Sequence, residues 1–393
     1  MKILFLTSRY PFPPVGGDKL RAYHFLKYLS SRGHKVHLFS LIDHPIKFND
    51  IITDEIIYFL PKSESYLKCL RGLFSFIPLQ VWYYQSKKFR CKINNAIAEN
   101  NYDMIFCHLL RTTEYVKAIK HIPKIVDLTD AISLNYSRIV ENFWENISFK
   151  KIIYAIESKR VLYYEGQILD SFDKSILISQ NDKKYLGQFY DVSNVEIIPN
   201  GVDLEYFSYF NGEYNRNRIV FMGNMRTVPN IDAALYFAHE IFPLIKKKIP
   251  KAEFFIVGVE PIKKIYKLAS KDKNISVTGF VDDIRQYLKT AAVSVAPMRY
   301  GAGIQNKILE SMAIGTPVVT TSTGLEGINA IHGKEIMVED LPEMFASRIV
   351  DLIQDSKLRE SISVSGRVFI EKHYSWEKNL EKLNFLINDL KKC

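Results

Sequence analysis

Apolar residues fall along this chain in two alternating rhythms. Short, nearly continuous runs such as 2–7 (KILFLT) have the pattern of strands buried on both faces, and longer stretches with apolar positions every three or four residues have that of helices packed on one side. The opening reads as a strand at 2–7, a turn holding Pro11, Pro13, Pro14, Gly16 and Gly17, and an amphipathic helix over 18–31. Strands are predicted again at 35–41, 104–107, 124–127 and 175–178, with helical periodicity between them and a long helix at 149–168. After the turn Pro199-Asn200-Gly201 a second series begins, with strands at 218–222, 253–257, 275–278, 293–296 and 317–320. Strands alternating with helices imply parallel sheets flanked by helices, so the fold class is α/β with two separate domains. The predicted boundaries are 1–198, 199–375 and a terminal helix in 376–393, whose Leu380, Leu383, Leu386 and Ile387 fall at helical spacing.

A length of 393 residues suits two such domains, and 47% hydrophobic with 24% charged residues excludes a disordered, collagen-like or coiled-coil chain. The longest stretches free of charge, 72–86 and 311–325, span 15 residues each and contain proline, too short and broken for a membrane span. Lys2 is followed by only six uncharged residues before Arg9, which lacks the apolar length of a secretory signal, so a cytoplasmic location is expected. Cysteines at 69, 91, 107 and 393 form no CxxC pair, and neither a disulfide framework nor a zinc site is expected. The net charge is +10, and residues 1–100 hold 15 Lys/Arg against 7 Asp/Glu. A positive field of this kind attracts phosphate-bearing small molecules, anionic lipid or nucleic acid, and only motifs can choose among them.

In open parallel sheets ligands lodge at the carboxyl ends of strands. Gly16 and Gly17 occupy the first such loop, ahead of a helix whose free N–H groups favour anions, although a glycine turn that only redirects the chain has the same appearance. The stretch from Ala296 to Val319 is the most informative. It reads strand, glycine loop (Gly301, Ala302, Gly303, Ile304), helix, strand, with Arg299 and Lys307 flanking the loop, and so has the composition of a phosphate cradle. Neither GxxxxGK[ST] nor GxGxxG is present there, which removes support for nucleotide hydrolysis and dinucleotide redox chemistry. Glu310, two turns into the helix, is placed to accept hydrogen bonds from ribose hydroxyls or simply to pair with Lys307 at i−3.

The run from Arg299 to Val319, with IPNGVD at 198–203, TGFVDDI at 278–284 and YSW at 374–376, resembles the retaining glycosyltransferases of family 4, which have the GT-B fold. The resemblance spans nearly the whole chain and is closest to enzymes of bacterial exopolysaccharide or surface-glycan assembly. It implies two Rossmann-like domains facing across a cleft, a last helix that crosses back to the N-terminal domain, and transfer from a nucleotide-sugar donor to a saccharide or lipid-linked saccharide acceptor, with no cofactor and no essential metal. It also implies that Glu310 takes the ribose, that Arg299, Lys307 and the backbone from Gly301 through Ala302 and Gly303 to Ile304 take the diphosphate, and that Gly16, Gly17, Gly223 and Arg226 complete the donor site. His108, at a strand end, matches the family's histidine near the donor sugar, though a packed side chain is the plain alternative. Two departures stand out: Ala302 replaces the family's frequent first glutamate, and Asn230 stands where lysine is frequent. An epimerase of the same fold, or a non-catalytic subunit that binds nucleotide sugar or glycan, fits the same resemblance.

On the acceptor side, Asp127 and Asp130 in VDLTDA follow a strand, and either is a candidate to orient or deprotonate an acceptor hydroxyl, with Asp130 alternatively a helix cap. Arg111 and Arg138 are loop-adjacent cations. Residues 62–92 mix Lys62, Lys68, Arg71, Lys87, Lys88, Arg90 and Lys92 with aromatic residues and a single acid, Glu64. That mixture suits an anionic inner-membrane surface, and peripheral attachment there is expected; no nucleic-acid-binding module accompanies it.

Overall fold

The computed structural model describes residues 1–14, 16–43, 54–142, 149–300 and 303–390. The chain forms two compact units, Met1–Pro199 with Leu380–Cys393, and Asn200–Asn379. In the first, the strands β1 (Lys2–Thr7), β2 (Lys35–Ile42), β3 (Asp54–Phe59), β4 (Met104–His108), β5 (Lys124–Thr129), β6 (Lys174–Leu177) and β7 (Val195–Ile197) lie in the order β3-β2-β1-β4-β5-β6-β7, all parallel. A parallel sheet covered on both faces needs apolar side chains pointing both ways. β1 and β4 supply them, with Phe5 stacked on Phe106 at 4.8 Å.

The second unit repeats the plan. Its strands β8 (Asn215–Met222), β9 (Glu253–Val257), β10 (Ile275–Gly279), β11 (Ala291–Ala296), β12 (Val318–Thr320) and β13 (Met337–Val338) lie in the parallel order β10-β9-β8-β11-β12-β13. Phe237, Phe242, Phe254 and Phe345 form an aromatic knot in its core. Strand order reverses between β1 and β4 in one sheet and between β8 and β11 in the other, and the loops leaving those strands are the natural ligand positions.

β3, β7 and β13 are not evident from the sequence. β7 and β13 have three and two residues, too few to show a period, and β3 (DEIIYF) is an edge strand without a fully buried face. The helix Trp376–Leu390 changes allegiance along its length: residues from Leu380 onward group with the first unit, where Lys382 Nζ donates to the Ile197 carbonyl at 3.2 Å and Asp389 pairs with Lys174 at 3.0 Å. Within the second unit, the NGVD turn lies against YSW: the Val202 amide donates to the Tyr374 carbonyl at 2.7 Å, and a Cβ on Gly201 would sit 2.4 Å from the Trp376 nitrogen. Glycine is required there by close approach. Among the described residues no helix is long and apolar enough to cross a membrane.

Candidate functional site

Sheet register sets the first cluster. Thr7 pairs with His108 and His108 with Asp127, so the carboxyl ends of β1, β4 and β5 stand side by side. Gly16, at φ +97, turns the chain from the loop after β1 into helix Gly17–Ser31, a conformation that suits glycine. One turn on, Arg21 is fully buried and forks onto Asp127, with Nε 2.8 Å from Oδ2 and Nη2 2.8 Å from Oδ1. His108 Nδ1 lies 2.9 Å from Asp127 Oδ2 and its Nε2 2.9 Å from the Asp18 carbonyl oxygen, which seats the ring between two acceptors. Burial alone would raise the Asp127 carboxyl, but the Arg21 charge and the hydrogen bonds from His108 and Arg21 hold it at about 2. Asp127 is therefore no acceptor base. Its oxygens are committed inside the protein, and its role is to hold Arg21 and orient His108. Arg21 escapes sequence reading, because an arginine in an amphipathic helix looks like any solvated cation.

Asp18 begins the same helix and pairs with Arg9 at 3.1 Å; burial opposes its ionisation, while Arg9, Arg111 and His108 hold it below the usual carboxylate range. Arg111 stacks over the Tyr84 ring at 5.2 Å.

β5 ends at Thr129, whose φ of +70 is unusual for a β-branched residue and swings the chain toward Asp130. The helix that follows, Ile132–Asn142, is capped from elsewhere. Asp182 Oδ1 accepts from the Ala131 amide at 3.0 Å, Glu165 Oε1 accepts from the Ile132 amide at 2.8 Å, and the Ser133 hydroxyl donates to Glu165 Oε2. The capping alternative for Asp130 fails on this geometry. Asp130 Oδ1 is instead buried without a hydrogen-bond partner among the described residues, and burial, then the Asp182 charge, pushes its carboxyl well above the ordinary range, with Arg21 opposing. Glu165 is pushed up to about 7 by burial, against the bonds from Ser133 and Ile132.

The second cluster lies wholly in the second unit. The loops after β8 and β9 touch through backbone: a Cβ on Gly258 would fall 1.8 Å from the Gly223 carbonyl oxygen, and the Gly223 amide donates to Val257 at 3.0 Å. Asn230 closes over Gly223, donating to the Asn224 carbonyl at 3.0 Å and accepting from Lys307 Nζ. The Lys307 ammonium lies 4.8 Å from the Phe221 ring centroid and 3.7 Å from Met298 Sδ. Burial pulls Lys307 down to about 7 and pushes Glu310 up to about 7, each partly offset by the other's charge. Lys307 thus spends its ammonium on Asn230, not on an ion pair with Glu310.

Both residues belong to helix Asn306–Ile314, whose first amides have no side-chain cap. Gly303, at φ +74, and the buried Ile304 lead into it, and Asn200 Nδ2 donates to Asn306 Oδ1 at 2.9 Å, an anchor not assigned from the sequence. Gly301 and Ala302 lie outside the described residues. Arg299 forks onto Asp232, with Nε 2.9 Å from Oδ2, and lies over the Tyr236 ring at 4.7 Å. Arg226 is exposed and pairs with Glu260 at 3.0 Å. The structure thus groups Gly223, Lys307 and Glu310 around one helix start and sets both arginines on acidic partners. Among the described residues no group of His, Cys, Asp or Glu is placed to hold a metal ion.

Residues 15–206 match the Glycosyltransferase Family 4 profile, and residues 216–355 match Glycosyl transferases group 1. An uncharacterized 44.6 kDa protein in the cps region of Klebsiella pneumoniae is 24% identical, over 96% of this chain and 97% of its own. The Escherichia coli UDP-Gal:alpha-D-GlcNAc-diphosphoundecaprenol alpha-1,3-galactosyltransferase is 27% identical over 56% of this chain and 59% of its own. Among solved structures, sucrose-phosphate synthase from Thermosynechococcus elongatus superposes with a TM-score of 0.76 at 17% identity, covering 100% of this chain and 99% of that one. WaaG, a glycosyltransferase involved in lipopolysaccharide biosynthesis, superposes with a TM-score of 0.68 at 16% identity, covering 98% and 99%.

Proposed function

The chain belongs to the glycosyltransferases of family 4 and has their GT-B fold, and we propose that it moves a hexose, with retention, from a nucleoside-diphosphate sugar to a lipid-linked saccharide in bacterial surface-polysaccharide synthesis. The observation that carries this reading is the uncapped start of helix Asn306–Ile314, with Lys307 and Glu310 on its first turns and the Gly223 loop alongside. A helix start without a side-chain cap and an ammonium suit a diphosphate, and a carboxylate beyond them suits ribose hydroxyls. In the reaction the bond between the sugar carbon and the diphosphate oxygen breaks, the acceptor hydroxyl oxygen bonds to that carbon, and the hydroxyl proton is given up. Lys307, Arg299 and the helix amides meet the charge left on the diphosphate, without a resident metal ion. In this reading Gly16, Gly17, Gly223 and Arg226 line the donor, His108, its two ring nitrogens already held by Asp127 and the Asp18 carbonyl, is a positioning residue beside the sugar, and Asp130, its carboxyl raised well above the ordinary range by burial, receives the acceptor proton once it has ionised. The name of the Escherichia coli relative pairs UDP-galactose with a diphosphoundecaprenol-linked sugar, which supports a uridine nucleotide and a lipid diphosphate as the first pair to test. The donor is a cytoplasmic metabolite in this reading, and the enzyme works on the cytoplasmic side.

A thermal-shift panel of UDP, GDP, ADP, CMP and TDP sugars identifies the donor, because a ligand that binds only the folded state raises its stability. Incubation of that donor with an undecaprenyl-diphosphate saccharide is expected to release the nucleoside diphosphate and add one hexose to the acceptor mass, with the anomeric configuration preserved by NMR. An isomerised donor would make the protein an epimerase, and stabilisation by no member of the panel would remove the donor reading.

A further inference from the structure

The first unit leaves an apolar edge uncovered. Helix Lys62–Gly72 exposes Leu70, and the chain leaving it carries Leu73, Phe74 and Phe76, the two phenylalanines 95% and 82% exposed. Helix Phe149–Ser171 adds Ile152 and Ile156, each about half exposed. These pieces are joined: Ile152, Ile156 and Arg160 recur at four-residue spacing on one stripe, and the Arg160 guanidinium donates to the Gly72 and Leu73 carbonyls. Glu157 beside it accepts from the Leu79 amide at 2.7 Å. The phenylalanines therefore stand on a loop tied at both ends to a long helix.

The surrounding charge is positive. Arg71, Lys87, Lys88 and Lys159 are exposed and have no ion-pair partner among the described residues. Lys68 donates to the Gln85 carbonyl, which draws the start of helix Lys87–Glu99 beside helix Lys62–Gly72. Not every aromatic residue of 62–92 takes part: Phe89 is fully buried, and Trp82 packs on Gly72, where a Cβ would come within 2.7 Å of the indole. The expected interfacial segment thus divides into a core half and an outward half. A second copy of this chain would bring the same cations against these, whereas anionic headgroups complement them.

We propose that this edge seats the enzyme on an anionic phospholipid surface, with Phe74 and Phe76 entering the boundary between headgroups and acyl chains. The inference deepens the proposed function, on which its biological sense rests, by locating where the protein meets the membrane that carries a lipid-linked acceptor. The full-length protein is sedimented with vesicles of phosphatidylglycerol and phosphatidylethanolamine and, separately, of phosphatidylcholine alone. Wild type is expected to bind the anionic vesicles and to detach progressively as salt is raised. Phe74→Ser/Phe76→Ser is expected to weaken binding by about tenfold or more, and Lys87→Glu/Lys88→Glu to weaken it while removing most of its salt dependence. Circular dichroism and transfer to a water-soluble acceptor glycan should not change in either variant. Wild type left in the supernatant at low salt, a serine variant that binds as well as wild type, or a wild-type dimer that the serine variant converts to monomer would each overturn the proposal, the last in favour of a self-association surface. Vesicle-bound protein that transfers no sugar would count against the reaction and leave the docking edge supported.

Discussion

Replacing Asp127 by asparagine removes one negative charge from between Arg21 and His108 and changes almost nothing else. Asp127 and Arg21 are both fully buried, and their forked contact has both short distances at 2.8 Å. Taking away one member of such a pair leaves the other charge uncompensated in the interior, which costs about 3–5 kcal/mol. A second route gives a similar scale. The carboxyl is held at about 2 in the folded protein against 3.8 ordinarily, and a gap of nearly two units at about 1.4 kcal/mol each is roughly 2.5 kcal/mol at neutral pH. Because the folded value lies below the unfolded one, this stabilisation is complete above about pH 4 and disappears as pH falls through about 2. Asp127→Asn should therefore lose about 3 kcal/mol at pH 7 and also lose this acid-sensitive component. A chain of two units has no single unfolding midpoint, so the measurement is amide hydrogen exchange at β4 and β5 in the full-length protein, at neutral pH and across the acid range from about pH 4 to about pH 2. Arg21→Met/Asp127→Leu should cost less than the single change, since it leaves no orphaned charge. A loss under about 1 kcal/mol, or equal acid sensitivity in wild type and Asp127→Asn, would refute the network.

At the donor helix, Glu310→Gln is expected to weaken nucleoside-diphosphate binding by about 1.5–3 kcal/mol, because an amide accepts more weakly from ribose hydroxyls than a carboxylate does. Lys307→Met should weaken the diphosphate but not the bare nucleoside; calorimetry giving equal losses for both ligands would confine Lys307 to supporting the loop. Asp130→Asn should lower kcat by about a hundredfold or more with donor affinity unchanged. As Asp130 is held protonated above the ordinary carboxylate range, the wild-type rate should rise with pH as it ionises; a variant that keeps this rising limb would exclude Asp130 as the base.

What could be read from the chain beforehand follows from how local each determinant is. β1, β4 and β11 are apolar runs long enough to announce themselves, and Lys307 and Glu310 are three residues apart in one helix, so a single stretch of sequence displays both. The Arg21, His108 and Asp127 cluster is different. Its members are separated by 106 and 19 residues and meet only because β1, β4 and β5 are adjacent in register. Nothing near Asp127 distinguishes a carboxylate locked under an arginine from one open to an acceptor. Asp130 illustrates the same limit, since its neighbours suit a cap and only the distant Glu165 and Asp182 occupy that role first.

Asn230 has the same lesson in reverse, because a departure from the family pattern acquires a physical reason once its neighbours are known. Its amide nitrogen ties back to the Asn224 carbonyl and its oxygen receives the Lys307 ammonium, so one neutral side chain bridges the loop after β8 to the helix after β11. A lysine at 230 would set a second ammonium where this oxygen now accepts, beside a Lys307 already drawn down to about 7 by burial. With asparagine, the cradle presents a single cation whose charge is weakly held until a diphosphate arrives, and that ligand's negative charge would favour its protonated form. Arg299 can supplement this charge but not replace it, because its guanidinium is already engaged by both oxygens of Asp232. If the proposed donor site holds, Lys307 is the cation whose protonation should respond most to the diphosphate, and Arg299, held by Asp232, should add a charge that does not change on binding.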